Sequence, residues 1–377
     1  MTAVGLSAFI MLYSTQGLIP LLQSDYGIPP HVAATTIGAT TGTMALAILP
    51  AAIASERFGR GRIILIGLTG AVLFGVLASL APSIEILIAV RALQGLMLAC
   101  IPAAAMAWLA DEINPLDLPK AMGLYIAGNT VGGLLGRLIP TGLLEFVPWR
   151  WALAGNTLVA AILAAWAFSR LPDQRGFTRK SIRLAEEARA IIGHLKNPIL
   201  LGCFALAFIL MGSFVSLYNY IGIRLINVFG LSPTLAGFIF ILYLCGTASA
   251  AYGGKLATRI GRPAVIFTGI AFMTTGFLIL MIDNLATTII GVALVTAGQF
   301  FAHSIASGWV GSAAKGNRGE ASGTYLGAYY LGSSVVGVST GLVFHQGGWI
   351  VFLGVLLAAM LLATVITTAL ARMSARS

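Results

Sequence analysis

The stretch Ser55-Glu56-Arg57-Phe58-Gly59-Arg60 recurs in the second half of the chain as Ala257-Thr258-Arg259-Ile260-Gly261-Arg262, at an offset of 202 residues. Two further anchors agree: Tyr26-Gly27-Ile28 matches Phe229-Gly230-Leu231 at an offset of 203, and Tyr125 matches Tyr325 at an offset of 200. The chain is therefore a duplicated unit. In a membrane protein a parallel repeat is typical of two half-bundles around a substrate path, so the repeat favours transport.

The composition predicts that most of the chain lies in lipid. Hydrophobic residues make up 58% and charged residues 9%, against about 25% charged in soluble proteins. Twelve apolar stretches are long enough to cross a hydrocarbon core of about 30 Å, at residues 3–23, 31–54, 62–81, 84–110, 118–144, 150–170, 198–222, 231–254, 263–282, 286–311, 319–344 and 348–371. The prediction is an all-α integral membrane protein with two pseudo-symmetric six-helix bundles, residues 1–170 and 198–377, joined by a cytoplasmic linker, residues 171–197.

The net charge of +10 would suit a nucleic-acid ligand, but its distribution argues against one. With the N-terminus in the cytoplasm, every Lys and Arg except Arg91, Arg137, Arg150 and Arg224 falls in a cytoplasmic segment or at the cytoplasmic end of a span. This is the positive-inside pattern. We therefore expect a multi-pass protein of a bacterial inner (plasma) membrane with both termini cytoplasmic, in contact with anionic lipids.

The linker is the longest hydrophilic stretch of the chain. Ile182, Ala185, Ile192 and Leu195 recur in it at helical spacing. This spacing predicts an amphipathic helix on the inner leaflet, with a solvated helix as the alternative.

Aromatic and proline residues add two expectations about the spans. Trp149, Trp151 and Trp349 fall at the predicted outer ends, where aromatic rings anchor at the headgroup level. Four prolines interrupt first-half spans: Pro20, Pro50, Pro102 and Pro140. Because proline frees a carbonyl and bends a helix, we expect more bends in the first half than in the second.

The first copy of the repeated stretch resembles the cytoplasmic signature of the major facilitator superfamily, G-x-L-A-D-R-x-G-R-K-R. Glu56 stands in place of the family's Asp, Ala52 of its first Gly and Gly61 of its Lys. The second copy begins at Gly254 and has Thr258 at the acidic position. The resemblance covers essentially the whole chain and implies the twelve-helix fold of that family.

The repeated stretch is also a candidate cytoplasmic gate. A tight turn between two helices needs glycine, and arginine pairs with carboxylates and helix C-terminal carbonyls. The resemblance implies that such contacts with the opposing half hold the cytoplasmic side shut. The gate candidates are Glu56, Arg57, Gly59, Arg60, Arg259, Gly261 and Arg262. The alternative is that the arginines only fix topology, although topology alone would not require the glycines.

The fourth span contains Leu87-x-x-x-Arg91-x-x-Gln94-Gly95, which resembles a second signature, associated with proton-coupled members of the family. An arginine in hydrocarbon costs about 2.5 to 3.5 kcal/mol on insertion scales, so Arg91 must face protein or water. Either Arg91 and Gln94 belong to the coupling machinery, or Arg91 locks onto backbone carbonyls of a neighbouring helix.

Two stripes adjoin on the fifth span: Gly128, Gly132 and Gly136 on one, and Tyr125, Asn129, Gly133 and Arg137 on the other. Small residues at this spacing let another helix approach closely, so these glycines, with Gly133, are the packing candidates. The glycines resemble the antiporter signature of drug-efflux members, G-x-x-x-G-P-x-x-G-G. Gly133 replaces its Pro and Arg137 its last Gly, a pair that resembles a bacterial branch of arabinose-efflux-like or acriflavine-sensitivity-like permeases.

Arg91 and Arg137 lie at one predicted depth, about 8 to 9 Å outward of the midplane on a count of 1.5 Å per residue. No Asp or Glu lies deep in any predicted span. The acceptor of these cations is therefore water, backbone carbonyls or the substrate itself. We hypothesise a cavity that prefers an anionic, zwitterionic or polyhydroxylated neutral solute to a lipophilic cation.

Other polar groups near mid-depth complete the substrate and coupling candidates: Gln16, Gln299, His303, Tyr325, Tyr329 and Tyr330. Such groups can orient a small solute in an apolar cavity, although each alone is more often an interhelical hydrogen bond. His303 is the only deep group that titrates near neutral pH, which makes it the candidate proton carrier. A neutral histidine bonded to a neighbouring helix is the alternative.

The sequence argues against an enzyme, since it has no G-x-x-x-x-G-K-[ST] nucleotide motif, catalytic triad pattern or metal-ligand set. We predict no cofactor or metal, a proton gradient as driving force, and a monomer whose partners are a small solute, protons and lipids. The predicted function is secondary transport by alternating access, and the resemblance implies proton-coupled efflux of a drug-like, sugar or organic-anion substrate. Uptake symport or facilitated diffusion is the alternative within this class, and a transport-inactive sensor or a channel is the alternative outside it.

Overall fold

The computed structural model describes residues 1–172, 174, 176–177 and 184–374, and within these residues it confirms the all-α prediction, with helices and turns and no strand. Twelve long helices follow the predicted spans. The first repeat contains α1 (Thr2–Tyr26), α2 (Pro30–Phe58), α3 (Arg60–Ser79), α4 (Ile84–Glu112), α5 (Leu118–Leu143) and α6 (Trp149–Arg170). The second contains α7 (Pro198–Asn227), α8 (Pro233–Ile260), α9 (Arg262–Ile279), α10 (Leu285–Ala313), α11 (residues 318–347) and α12 (residues 349–374).

Helices α5, α11 and α12 depart from simple apolar spans. Helix α5 is a 26-residue helix, but its glycine and polar stripes leave it outside the 10 stretches of the described chain that are apolar enough to cross a membrane. Helices α11 and α12 form one 57-residue stretch that is interrupted at Gly348, with φ 71° and ψ −171°. Because a side chain disfavours this positive φ, the glycine permits the break.

The repeated glycines make the same turn in both repeats. Gly59, between α2 and α3, has φ 98°, and Gly261, between α8 and α9, has φ 85°. Each donates its backbone N–H to a carbonyl four residues earlier, on Ser55 and on Ala257. A residue with a side chain is strained at such positive φ values, so the turn accounts for glycine at both positions.

Several helices are broken inside the apolar spans. In α1, the α-helix Thr2–Leu12 gives way to a 3-10 turn, Gln16–Leu18, before Ile19–Tyr26 resumes. Helix α4 breaks between Ile84–Ala99 and Pro102–Glu112. Pro20 and Pro102 therefore follow breaks, whereas Pro50 and Pro140 lie within continuous helices. The second half also contains a break, because α8 passes through a 3-10 stretch at Phe238–Leu242.

The helices pack into two compact units whose boundary does not follow the repeat exactly. The first unit comprises Met1–Ile182 with Leu231–Phe238, and the second comprises Arg183–Gly230 with Ile239–Ser377. The start of α8 therefore groups with the first repeat, where the hydroxyl of Thr234 donates to the carbonyl of Thr141 at 3.1 Å. Gly237 lies so close to Thr141 that a Cβ would come within 2.6 Å of its Cβ.

Within the first unit, the glycine stripe of α5 lies against the backbone of α1. A Cβ at Gly128 would lie 2.6 Å from the carbonyl oxygen of Thr2, and one at Gly132 would lie 2.6 Å from that of Leu6. Gly136 approaches the carbonyl of Ile10 in the same way. The second unit repeats the seam between α7 and α11, where Gly332 approaches the carbonyl of Phe208. Close helix approach of this kind depends on residues without side chains.

Trp149 and Trp349 are buried against neighbouring helices at the start of α6 and of α12, and their place at the outer membrane interface remains a prediction. Their exposed fractions are 5% and 7%. The indole of Trp149 donates to Asp25 at 2.8 Å, and that of Trp349 donates to the carbonyl of Leu280 at 2.8 Å. A buried indole N–H needs an acceptor, and both units supply one. Trp151 is 69% exposed, and its interfacial position remains a prediction.

The linker contains a 13-residue helix, Leu184–Lys196, which we call the linker helix. It belongs to the second unit, where Nε2 of His194 lies 3.0 Å from the carbonyl oxygen of Asn317. Ile192 and Leu195, predicted on its apolar face, are exposed. Ile182 and the side chain of Ala185 lie outside the described residues.

Candidate functional site

The first unit gathers its predicted polar residues around the break in α1. Arg91, on α4, is fully buried. Its guanidinium donates to the carbonyls of Met11 at 2.9 Å and Leu12 at 2.7 Å, and to that of Thr36 on α2 at 3.3 Å. The carbonyls at the end of a helix lack partners within it, so the break in α1 supplies two of these acceptors, Met11 and Leu12. These contacts agree with one of the two interpretations made from the sequence, in which Arg91 donates to backbone carbonyls of a neighbouring helix.

Gln94 extends this network to a fourth helix. Nη1 of Arg91 also donates to the hydroxyl of Ser14 at 3.2 Å and to Oε1 of Gln94. The amide nitrogen of Gln94 donates to the carbonyl of Ala71, on α3, at 2.7 Å. Hydrogen bonds to charged groups contribute about 1.5 to 3 kcal/mol each. Arg91 and Gln94 therefore tie α1, α2, α3 and α4 together at the level of the break.

Arg137 reaches the same break from α5. It is fully buried, its Nε donates to Oε1 of Gln16 at 2.7 Å, and its Nη1 donates to the carbonyl of Gly133 at 2.6 Å. The guanidinium lies 3.8 Å from the ring centroid of Tyr13, a distance typical of a cation–π contact. The carbonyl of Gly133 thus accepts a hydrogen bond from Arg137. A Cβ at Gly133 would face the side chains of Arg137 and Tyr13 rather than the backbone of α1.

The two arginines create a region of positive charge inside the first unit. Arg91 donates to carbonyls, a hydroxyl and a side-chain amide, and Arg137 donates to a side-chain amide and a carbonyl. The described ion pairs of this unit, Arg60 with Asp111 and Arg150 with Asp25, lie near the ends of spans. Carbonyl and amide dipoles stabilise a cation without cancelling its net charge, so an anion is attracted to this region.

Tyr125 and Asn129 lie on α5 at the seam with α1. A Cβ at Gly5 would lie 3.2 Å from the ring of Tyr125 and would collide with Oδ1 of Asn129. Gly5 therefore makes room for both polar side chains. The sequence placed Tyr125, Asn129 and Arg137 on one stripe, and the structure puts all three on the side of α5 that faces α1.

The second unit contains a histidine–tyrosine cluster between α10 and α11. Nδ1 of His303 lies 3.0 Å from the hydroxyl of Tyr325, which lies 3.4 Å from the backbone carbonyl of His303. The rings of His303 and Tyr329 have centroids 4.5 Å apart, and Tyr330 meets Tyr329 edge-on at 5.3 Å. If the hydrogen is on Nδ1, the ring donates to Tyr325 and Tyr325 donates to the carbonyl. That tautomer leaves the lone pair of Nε2 to accept a proton.

Gln299, one turn before His303 on α10, offers a hydrogen-bond acceptor. It is 1% exposed, and among the described residues its Oε1 has no hydrogen-bond partner. Its amide nitrogen lies 4.0 Å from the sulfur of Met211. A buried acceptor without a partner is costly, and a solute hydroxyl or N–H would relieve that cost.

Sequence reasoning missed one residue of the first cluster and one buried polar pair of the second unit. Tyr13 covers Arg137, although its only sequence signal was an aromatic ring beside the polar run before Pro20. In the second unit, the hydroxyls of Tyr218 and Thr296 lie 2.8 Å apart. Tyr218 also packs on Phe214 with ring centroids 4.9 Å apart. Aromatic residues at helical spacing in an apolar span look like lipid-facing residues until a neighbouring helix is known.

The gate candidates pair within their own units. Arg60 forms an ion pair with Asp111, at the end of α4, at 3.0 Å. Arg262 donates to the hydroxyl of Ser312, at the end of α10, at 2.7 Å. Arg57 lies over the ring of Phe58 at 5.4 Å.

The remaining gate candidates lie at or beside the two turns. Glu56 is partly buried near the end of α2, and Arg259 is exposed near the end of α8. Next to the first turn, the backbone N–H of Gly61 donates to Oε1 of Gln174 at 3.2 Å. Their role in a gate between the halves remains a prediction.

Comparison with known proteins identifies the family of the chain. The sequence profile of the Major Facilitator Superfamily matches residues 1–246 and 221–376. The chain is 34% identical over 371 residues to the uncharacterised MFS-type transporter YybF of Bacillus subtilis, covering 98% of this chain and 92% of that protein. It is 36% identical over 348 residues to the inner membrane transport protein YnfM of Escherichia coli, covering 92% of this chain and 84% of that protein.

Solved structures agree in fold. A bacterial homologue of the human lysosomal transporter Spinster, in an inward-facing and occupied conformation, matches with a TM-score of 0.77 at 14% identity, covering 98% of this chain and 95% of that chain. At this identity the likeness concerns the fold alone.

Proposed function

Because the chain belongs to the Major Facilitator Superfamily, we propose that it is a secondary transporter that works by alternating access and exports a small anionic or polyhydroxylated solute in exchange for protons. It resides in a bacterial inner membrane with both termini in the cytoplasm, and it needs no cofactor. Its membrane embedding is supported by the apolar helices and by the inner-membrane relative. The direction of transport, the coupling ion and the class of substrate are what we propose.

The observation that carries the substrate class is the pair of buried arginines at the α1 break. Arg91 directs its donors to carbonyls of α1 and α2 and to two side chains. It therefore supports the break and adds charge without contacting the solute. The contacts of Arg137 include the amide of Gln16, the carbonyl of Gly133 and the Tyr13 ring. A solute anion can displace Gln16 or the ring with little change in the backbone, so Arg137 is the proposed contact.

Proton coupling is assigned to His303. Its ring contacts Tyr325 and Tyr329 on α11, and a proton on Nε2 would turn a neutral ring into a cation. The charge of the cluster would then change with each transport cycle, which is what coupling to a proton gradient requires. Gln299, with its open acceptor, lies one turn away and would contact the polar part of the solute.

The test is a flux assay in liposomes with an imposed pH gradient, challenged in turn with organic anions, sugars, amino acids and cationic dyes. We expect anions or sugars to dissipate the gradient and cationic dyes to leave it intact. Arg137→Gln removes one charge-assisted contact and should lower the apparent affinity for an anion on the order of 10- to 100-fold. Lys120→Gln, which removes an exposed charge from the same helix, is the matched control and should leave transport unchanged.

Two results would count against the proposal. If the Arg137→Gln variant transported an identified anion as well as the wild type does, the proposed class of substrate would be wrong. Movement of labelled solute without any proton response would replace antiport with facilitated diffusion.

A further inference from the structure

The linker helix presents an uncovered face that has two parts. Ala188, Ile192 and Leu195 are exposed at positions i, i+4 and i+7 and therefore form one apolar stripe. Ile192 is 51% exposed and Leu195 is 44% exposed. Arg189 and Lys196, also exposed and seven residues apart, form a basic stripe directly beside it. A helix with an apolar stripe edged by cations is typical of one that lies in the membrane interface.

The helix is fixed to the protein by its opposite side. His194 is 9% exposed and contacts the carbonyl of Asn317, in the connection between α10 and α11, at 3.0 Å. Asn317 is the only non-glycine residue with positive φ, 47°, in the described chain. Ala190 and Ile191 are partly buried beside His194. The apolar stripe therefore points away from the protein surface that holds the helix.

The position of the linker helix along the chain places its C-terminal end next to the start of a membrane-spanning helix. It ends at Lys196, and Asn197 caps the start of the spanning helix α7 by accepting the backbone N–H groups of Ile199 and Leu200 at 3.0 and 3.4 Å. With Cα atoms 3.8 Å apart along the chain, Lys196 lies within about 8 Å of the first residue of a membrane-spanning helix. This is the depth at which phospholipid headgroups lie.

We propose that the linker helix binds anionic phospholipid headgroups, with Ile192 and Leu195 among the acyl chains and Arg189 and Lys196 against the phosphates. Charge complementarity favours a lipid with a net negative headgroup over a zwitterionic one. Glu186 lies one turn before Arg189 on the side away from the apolar stripe, where it faces water. Because His194 holds the helix to the α10–α11 connection, lipid binding stabilises that connection as well.

The depth of the apolar stripe in the lipid bilayer can be measured by spin labelling. A label at Ile192→Cys is compared with one at Glu186→Cys, in a background with Cys100, Cys203 and Cys245 replaced by alanine, in liposomes with and without phosphatidylglycerol. We expect the label at 192 to be accessible to oxygen and shielded from a water-soluble nickel complex, and the label at 186 to show the reverse. Equal nickel accessibility at both positions in phosphatidylglycerol liposomes would overturn the proposal.

The charge preference is tested on the protein with its native cysteines. Phosphatidylglycerol added to detergent-purified protein should raise the melting temperature more than phosphatidylcholine does. Replacing both Arg189 and Lys196 with Gln should weaken the apparent affinity for phosphatidylglycerol by about 30-fold, which corresponds to about 1 kcal/mol for each basic residue. The control variant Lys120→Gln/Lys255→Gln removes two exposed charges on α5 and α8, away from the linker helix and the α10–α11 connection, and should keep the wild-type response. An equal response to both lipids, or an equal loss in both double variants, would contradict a specific anionic surface.

Discussion

Replacing Gly132 with alanine tests whether the α1–α5 seam depends on the absence of a side chain. The new Cβ would lie 2.6 Å from the carbonyl oxygen and 2.9 Å from the Cα of Leu6. To restore ordinary contact at 3.4 Å, the backbones must separate by about 0.8 Å, the difference between the two distances. Gly128 and Gly136 hold the same helices together one turn on either side, so the separation cannot stay local.

The expected magnitude follows from two opposing terms. Overpacking a close contact costs about 1 to 3 kcal/mol, whereas replacing glycine with alanine inside a helix contributes up to about 1 kcal/mol in favour of folding. We expect Gly132→Ala to lower the free energy of unfolding by about 1 kcal/mol, the difference between the middle of the first range and the second term. Gly123→Ala is the matched control on the same helix, because no atom of the described residues outside its own helix lies within 4 Å of the new Cβ. The control should be neutral or more stable than the wild type.

The assay is thermal unfolding of the purified proteins in one detergent, followed by intrinsic fluorescence. Gly132→Ala should unfold several degrees below Gly123→Ala. Gly332→Ala, which meets the carbonyl of Phe208 in the second unit, should behave like Gly132→Ala. If Gly132→Ala melts at or above the temperature of Gly123→Ala, the close seam does not limit stability and the reasoning is wrong.

Three further experiments test individual contacts. Arg91→Lys keeps the charge, but a single ammonium group cannot reproduce the guanidinium's hydrogen bonds to carbonyls of both α1 and α2. We therefore expect a lower melting temperature than that of the wild type, and an unchanged melting temperature would mean that these hydrogen bonds are dispensable. A double-mutant cycle with Arg60→Gln and Asp111→Asn should give a coupling energy of about 0.2 to 1 kcal/mol in chemical denaturation, because the pair is partly exposed; a coupling of zero would contradict a formed ion pair. His303→Gln should abolish substrate-driven proton flux while solute exchange persists. Tyr325→Phe, which removes the hydroxyl's hydrogen bonds to the ring and to the backbone carbonyl of His303 but keeps the ring itself, should reduce the flux less. Intact flux in His303→Gln would exclude His303 as the proton carrier.

Much of the fold could be read from local pattern. Apolar length predicts spans, and the recurrence of Gly59 as Gly261 predicts the same turn twice, because a positive φ requires glycine wherever the turn occurs. The spacing of Gly128, Gly132 and Gly136 likewise identifies one face of one helix without knowledge of its neighbour. These properties belong to single segments or to segments that repeat, so the sequence by itself contains them.

The partners of the buried polar groups could not be read in this way. The acceptors of Arg91 exist because α1 breaks near Leu12, about 80 residues away in the chain, and a guanidinium at the end of a long side chain can reach several helices. The same holds for Trp149, whose indole donates to Asp25, 124 residues away in the chain. Periodicity tells which face of a helix a residue occupies, whereas the identity of its partner depends on how separate helices pack, and only the folded chain brings those helices together.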